Sequence, residues 1–264
     1  MAIFRFPGSK QKLLPAIMPE LDKYLKSANS FHDVFVGGGS VLIEVAKKYP
    51  NMKLFCNDAD RDIYCFWSLV SDPKKEDVIL YQMLKSKPTV TSFLGLKASS
   101  SGNRVFSAYR GLFLNRTAFS GIASSGPIGG YEQNSKYKID CRYNSPRLIK
   151  EIKELIELMS GRLTVKCQDV QDYLWNIMPG DAVYLDPPYY VKGKELYNYH
   201  MTPGEHELLA QKLKQHRNWV LSYDKCPEID KLYDWARKID VYAKYSISGK
   251  KTSWKKKSEY LITK

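Results

Sequence analysis

An apolar run, Ala182 to Leu185, passes directly into Asp186-Pro187-Pro188-Tyr189. The two prolines fix the backbone and withhold N–H groups, which leaves an acidic side chain and bare carbonyls with an aromatic ring beside them. At the carboxyl end of a central strand, such a set faces the crevice where open α/β sheets bind ligands. A simple turn would need neither the ring nor the doubled proline.

A second constellation, Phe35-Val36-Gly37-Gly38-Gly39-Ser40, lies between a strand-like run and a helix-like one. Glycines there let the backbone approach a nucleotide-like ligand closely, although a tight turn would also use them and the full G-x-G-x-x-G spacing is absent. Asp58, about twenty residues on and at the end of the next strand-like run, is placed to accept hydrogen bonds from ribose hydroxyls. Metal and disulfide chemistry are not expected. The four histidines, His32, His200, His206 and His216, are scattered without ligand spacing, and the five cysteines are odd in number and never paired as C-x-x-C. Cys56 and Cys167 read as packing residues in core strands, and the cysteine pattern suits a reducing cytoplasm.

These groups need a regular scaffold. Leu13, Leu14, Ile17, Met18, Leu21 and Leu25 recur at helical spacing within Ser9 to Lys26. The sequence then predicts strand 31–36, a glycine turn, a helix from Ser40, strand 52–57 and a helix from Arg61. Beyond an irregular stretch, alternation resumes: helix 146–159, strand 163–168, helix 169–177, strand 181–185, helix 203–216, strand 219–223 and helix 228–238. Two last strands, near 239–247 and 259–263, have no helix between them. This order predicts a mostly parallel sheet covered on both faces and closed by an antiparallel edge.

Charge separates the irregular stretch from the rest. The 264 residues carry 41 Lys plus Arg against 28 Asp plus Glu, a formal balance of +13 that points to a polyanionic partner, nucleic acid first. Residues 85–150 hold eleven basic residues and two acids, and the tail from Lys250 holds six lysines and one acid. Between about 71 and 145 the chain reads as helical fragments followed by loops dense in Gly, Ser, Asn and aromatics, the composition of a docking surface. Lys250, Lys251 and Lys255 to Lys257 suit either a solvated edge or a clamp on a nucleic-acid backbone. A hydrophobic share of 44% with 26% charged residues excludes a mainly disordered chain. The absence of an apolar window of membrane-helix length predicts a cytoplasmic protein with no membrane partner.

Taken together, the motifs resemble the Dam-type DNA adenine-N6 methyltransferases over essentially the whole chain. Arg5-Phe6-Pro7-Gly8-Ser9-Lys10 is similar to the family's K-W-x-G-G-K, Phe35 to Ser40 to its F-x-G-x-G-S, and Asp186 to Tyr189 to its D-P-P-Y. Phe113-Leu114-Asn115-Arg116-Thr117-Ala118-Phe119 is similar to F-L-N-R-T-x-F of the DNA-recognition region. The order of cofactor motif, recognition insert and D-P-P-Y is that of the alpha group of amino-methyltransferases. Phe6 and Ser9 depart from the family's Trp and Gly. The segment from Phe119 to Gly130 lacks the further Arg, Asn and N-V-P element of GATC readers, so a target other than GATC is expected.

The resemblance implies a Rossmann-like, S-adenosylmethionine-dependent methyltransferase sheet formed by residues 1–70 and 146–264, with a helical and loop recognition insert at 71–145. It implies a methyl donor held by Phe6, Lys10, Phe35, Gly37, Gly39, Asp58, Asp169 and Asp186, without a metal. It implies that Asp186 and the Pro187 carbonyl accept the two N–H bonds of an adenine amine, while Tyr189 stacks on a base flipped out of double-stranded DNA. Asn115, Ser124 and Ser125 are the expected base contacts, with Ser120, Gln133 and Asn134 beside them, and Arg116, Lys136 and Lys138 the expected phosphate contacts. Arg116 has a loop-bracing salt bridge as its alternative. A cognate restriction endonuclease is a candidate partner. Two alternatives stand beside this reading: a catalytically idle DNA-binding regulator, and a methyltransferase acting on RNA adenine or cytosine N4.

Overall fold

The computed structural model describes all residues except 1–2, 6–7, 101, 123, 192, 194–199 and 247–253, and only the backbone at 243–246 and 254–257. Seven strands form its sheet: β1 (Ser30–Asp33), β2 (Lys53–Asn57), β3 (Leu163–Lys166), β4 (Ala182–Leu185), β5 (Trp219–Asp224), β6 (Arg237–Ser246) and β7 (Trp254–Thr263). Their order is β3-β2-β1-β4-β5-β7-β6. The first five are parallel, and β7 runs antiparallel to both β5 and β6. The expected Rossmann-like sheet with an antiparallel edge is what the chain forms.

Helices α1 (Leu14–Leu25), α2 (Ser40–Lys48) and α3 (Arg61–Ser71) each turn an apolar stripe inward, with Ile17 and Leu21, Val41 and Leu42, and Phe66 and Trp67 at the buried positions. Asp60 caps α3 by accepting from the Asp62 amide. Three further helices, α4 (Glu76–Leu84), α5 (Val90–Ala98) and α6 (Arg104–Thr117), precede a loop that leads to α7 (Ser145–Met159). Leu80, Leu84, Phe93, Leu112 and Phe113 join Phe66 and Ile152 in one continuous core, and Arg110 pairs with Asp62 at 2.9 Å. Charge marks this stretch in the sequence, yet its helices share the core of the sheet domain. A second core on the opposite side gathers Tyr173, Leu209, Leu213, Trp219 and Ile229. Among the described residues, no helix is long and apolar enough to cross a membrane.

The structure departs from expectation where strand pairing or an edge decides. Helix 228–238 stops at Leu232, and Arg237 already begins β6, because a ten-residue ladder with β7 captures the chain. That ladder also draws Trp254 to Ser258 into β7. Cys167, expected inside a core strand, is exposed: β3 is an edge strand whose pairing ends at Lys166. Cys56 is buried as expected. The fragment GLFLNRT, expected in a loop, is the last half of α6.

Candidate active site

The strand order reverses between β1 and β4, so the loops leaving their carboxyl ends diverge and open a crevice. A cavity of about 310 Å³ lies there. Lys10, Phe35, Gly37, Gly39, Asp58, Asp169 and Asp186 all line it, together with Asp33 and Pro188. Phe6, the remaining expected cofactor residue, lies outside the described residues, as do Lys250 and Lys251 and the side chains of Lys255 to Lys257.

The glycine turn is clamped from two sides. The Gly37 amide donates to Asp58 Oδ2 at 2.9 Å, and its carbonyl accepts from the Trp67 indole at 3.0 Å. Gly39, at φ 68°, precedes α2, and the Trp67 ring fills the space a Cβ would need. The other Asp58 oxygen accepts from the Asp60 amide at 2.9 Å. Desolvation, with the neighbouring Asp60 charge, pushes the Asp58 carboxyl up to about 7. Asn57 stitches the neighbouring strand ends: its amide donates to the Val34 and Gln168 carbonyls and accepts from the Gln168 amide. Asp169 caps the short helix Val170–Tyr173 through the Gln171 amide and remains exposed at the cavity.

Asp33 was not singled out in the sequence; its one signal is an acid at the end of a wholly buried strand. Its Oδ2 accepts from the Leu42 amide at 3.2 Å, whereas Oδ1 is buried without a hydrogen-bond partner among the described residues. Burial and the charges of Asp186 and Asp58 hold its carboxyl well above the usual range. Such a group favours a cationic neighbour.

Asp186 lies 2.7 Å from the ammonium of Lys10, which is only 4% exposed. The same ammonium donates to the Gly8 carbonyl at 3.1 Å and lies 3.4 Å from Glu259. Burial would lower the Lys10 pKa, but Asp186, Tyr189 and Glu259 hold it well above its ordinary value. Pro187 is buried. Tyr189, expected to offer a stacking face, is 2% exposed in this structure, and its hydroxyl donates to Glu259 Oε1 at 2.8 Å. Gly8, at φ 88°, leaves room for that hydroxyl where a Cβ would stand. Asp224 accepts from the Tyr190 amide at 3.0 Å and the Val191 amide at 3.4 Å, fixing the chain just past the motif.

The expected DNA contacts divide. Asn115 is a buried latch in this structure: its oxygen accepts from the Arg5 amide at 2.6 Å, and its nitrogen donates to the Arg5 and Gly121 carbonyls. A base would have to displace all three bonds. Arg116 likewise braces the N-terminal segment by donating to the Ile3 carbonyl, through hydrogen bonding in place of the salt bridge considered above. Gln133 donates to the Ile128 and Gly130 carbonyls and accepts from the Ile139 amide, so its amide shapes the loop from within. Lys138 donates to the Gln133 carbonyl. Ser120, Ser124, Asn134 and Lys136 are exposed, and Ser125 is half-buried. The carbonyls of Ser124 and Ser125 accept from Lys97 at 3.0 and 2.8 Å. Phe119, the last residue of the F-L-N-R-T-x-F match, is exposed, and Tyr131 and Tyr137 add exposed rings that the sequence reading did not single out. Burial, and then repulsion from Arg142, lowers the pKa of the Arg5 guanidinium.

A family model for D12 class N6 adenine-specific DNA methyltransferases matches residues 6–247. The Type II methyltransferase M1.LlaDCHI of Lactococcus lactis subsp. cremoris is 29% identical over 206 residues, which are 70% of this chain and 64% of that protein. The Type II methyltransferase M.MjaIII of Methanocaldococcus jannaschii is 24% identical over 209 residues, 70% of this chain and 68% of that protein. The DNA N-6-adenine-methyltransferase of Escherichia phage P1 is 24% identical over 193 residues, 71% of this chain but 24% of its own length. The chain therefore spans less than two-thirds of the Lactococcus protein and a minor part of the phage one. With the glycine turn, the Asp186 motif and strands β1 to β6 inside the matched span, the chain belongs to the D12 class N6 adenine-specific DNA methyltransferase family.

Proposed function

We propose that the protein is a site-specific DNA methyltransferase that transfers a methyl group from S-adenosylmethionine to the N6 nitrogen of an adenine flipped out of double-stranded DNA. The observation that carries this reading is the convergence of Asp186, the glycine turn and the acids Asp33 and Asp58 on one cavity. The unpartnered Asp33 oxygen suits a cationic methyl donor, and Asp58 suits its ribose. S-adenosylmethionine, when bound, supplies a methyl group on a sulfonium whose transfer leaves a neutral thioether.

The chain's own task is then to prepare the nitrogen. An adenine amine is a poor nucleophile because its lone pair is conjugated into the ring. Asp186 and the Pro187 carbonyl accept its two N–H bonds and favour a pyramidal nitrogen, with the lone pair directed at the methyl group; the methylated nitrogen, now cationic, then releases one of these protons to water by way of Asp186. Positioning and electrostatics supply the acceleration without a protein nucleophile. Lys10, 2.7 Å away, orients Asp186. Residues 71–145 form the recognition insert in this reading, with Ser120, Ser124, Ser125 and Asn134 toward base edges and Lys136 toward phosphate. A cognate restriction endonuclease is the partner that a restriction–modification setting would bring.

Tritiated S-adenosylmethionine with duplex DNA, followed by mass spectrometry of the digested nucleosides, tests the reading. N6-methyladenine is the expected product, and Asp186→Ala should abolish transfer while leaving the fold and most methyl-donor binding. Methylcytosine as the main product, or undiminished turnover in Asp186→Ala, would reject it.

A further inference from the structure

Glu259 sits on β7 opposite Asp224 of β5 and is fully buried. A carboxylate in such a place needs strong compensation. Its Oε1 accepts from the Tyr189 hydroxyl at 2.8 Å, and its Oε2 lies 3.4 Å from the Lys10 ammonium. That ammonium is 2.7 Å from Asp186. One buried cation is thus shared by a carboxylate that lines the cavity and one set in the sheet. Coulomb energy falls with distance, so the two separations favour Asp186 by only about a quarter.

We propose that Glu259 is a positioning residue for methyl transfer: by sharing Lys10 with Asp186 and holding the Tyr189 hydroxyl, it keeps Asp186 open to the target amine. The inference rests on the reading that Asp186 activates that amine. Without the Glu259 charge, Lys10, already 2.7 Å from Asp186, answers to that carboxylate alone and takes up acceptor strength that the amine would otherwise use. The Tyr189 bond acts on the other end of the same motif. A ring anchored to β7 sets where Asp186-Pro187-Pro188 can lie, and Asp224, the register partner of Glu259, holds the next two amides. The antiparallel edge of the sheet thereby reaches the reacting centre through two adjoining carboxylates.

Two substitutions separate this role from simple support of the fold. Glu259→Gln keeps an acceptor for Tyr189 but removes the charge, and Glu259→Asp keeps the charge but shortens the reach. The assay compares single-turnover methylation of duplex DNA, the Kd for S-adenosylmethionine by calorimetry and the melting temperature, with parent and Asp186→Ala alongside. Glu259→Gln should slow methyl transfer by about tenfold or more, while the Kd stays within about threefold of the parent. Glu259→Asp should retain more of the rate than Glu259→Gln. A rate for Glu259→Gln within about twofold of the parent, or a parallel loss of rate and methyl-donor affinity in both variants, would overturn the proposal. If Glu259→Gln does not fold, Glu259→Asp decides alone: a slowed rate at unchanged Kd supports the role, and parallel losses or an unchanged rate overturn it. Failure of the underlying reading would appear separately, as turnover retained by Asp186→Ala.

Discussion

Asp33, Asp58 and Asp186 line one cavity, and at the scale of single residues burial is what raises the carboxyls of Asp33 and Asp58, with neighbouring acids adding to it. Asp58 is the member whose titration falls in an accessible range, at about 7. Below that pH it carries a proton and loses acceptor capacity toward ribose hydroxyls, so methyl-donor binding should weaken as pH falls. The Kd for S-adenosylmethionine should be about tenfold larger at pH 6 than at pH 8, and Asp58→Asn should bind weakly at both. Calorimetry checks this, and a flat parent profile would count against Asp58 as a ribose contact. Stability moves the other way. The folded-state value lies above the unfolded 3.8, so the ligand-free protein holds that proton more tightly when folded and loses stability as pH rises through about 4 to 7. Asp58→Asn should therefore raise the melting temperature of ligand-free protein at pH 8 while impairing binding, with little gain at acid pH.

Among the elements, the N-terminal segment depends for its position on distant parts of the chain. It brings Gly8 and Lys10 to Asp186, and it is held there by Asn115 and Arg116 of α6. Asn115→Ala leaves the Arg5 backbone groups without their partner and should cost about 1–3 kcal/mol in stability. It should slow methyl transfer without changing the salt dependence of DNA binding, whereas loss of a phosphate contact would lower that dependence. Chemical denaturation and binding titrations at several salt concentrations make the comparison. The glycine turn is equally constrained. Gly39→Ala meets the Trp67 ring at a left-handed backbone and should cost more than about 1 kcal/mol, visible as a lower denaturation midpoint.

For the whole molecule, in the proposed reading, the charge balance of +13 and its concentration in residues 85–150 would make DNA affinity a matter of counterion release. Lys136→Ala should weaken binding about equally to all duplexes and lower the log–log salt slope by about one unit. Lys138→Ala should do something different: its ammonium braces the Gln133 carbonyl, so its loss should disturb the loop and alter which sequence is methylated. Expression in a methylation-free bacterial host, with modified adenines mapped by single-molecule sequencing, reads both effects. The preferred site should differ from GATC, because Phe119 to Gly130 carries different side chains from those of GATC readers. Full GATC protection against a methylation-sensitive endonuclease would refute that expectation.

Periodicity and punctuation were enough to make the alternating sheet, the glycine turn, Asp58 and the Asp186 motif legible in the sequence, because strand, turn and helix signals are local. The position of the cavity follows from strand order, and the reversal between β1 and β4 brings residues from both halves of the chain to one crevice. What the tertiary structure alone decided is which polar groups are already engaged. Asn115 and Gln133 have the chemistry of base readers but are satisfied by backbone groups that only the folded chain places within reach. Asp33 and Glu259 look like ordinary strand acids until burial and pairing set one beside the glycine turn and the other behind Lys10 and Tyr189. The β6–β7 ladder belongs to the same class: its length depends on a partner strand, and partner contacts outweigh local propensity in a sheet.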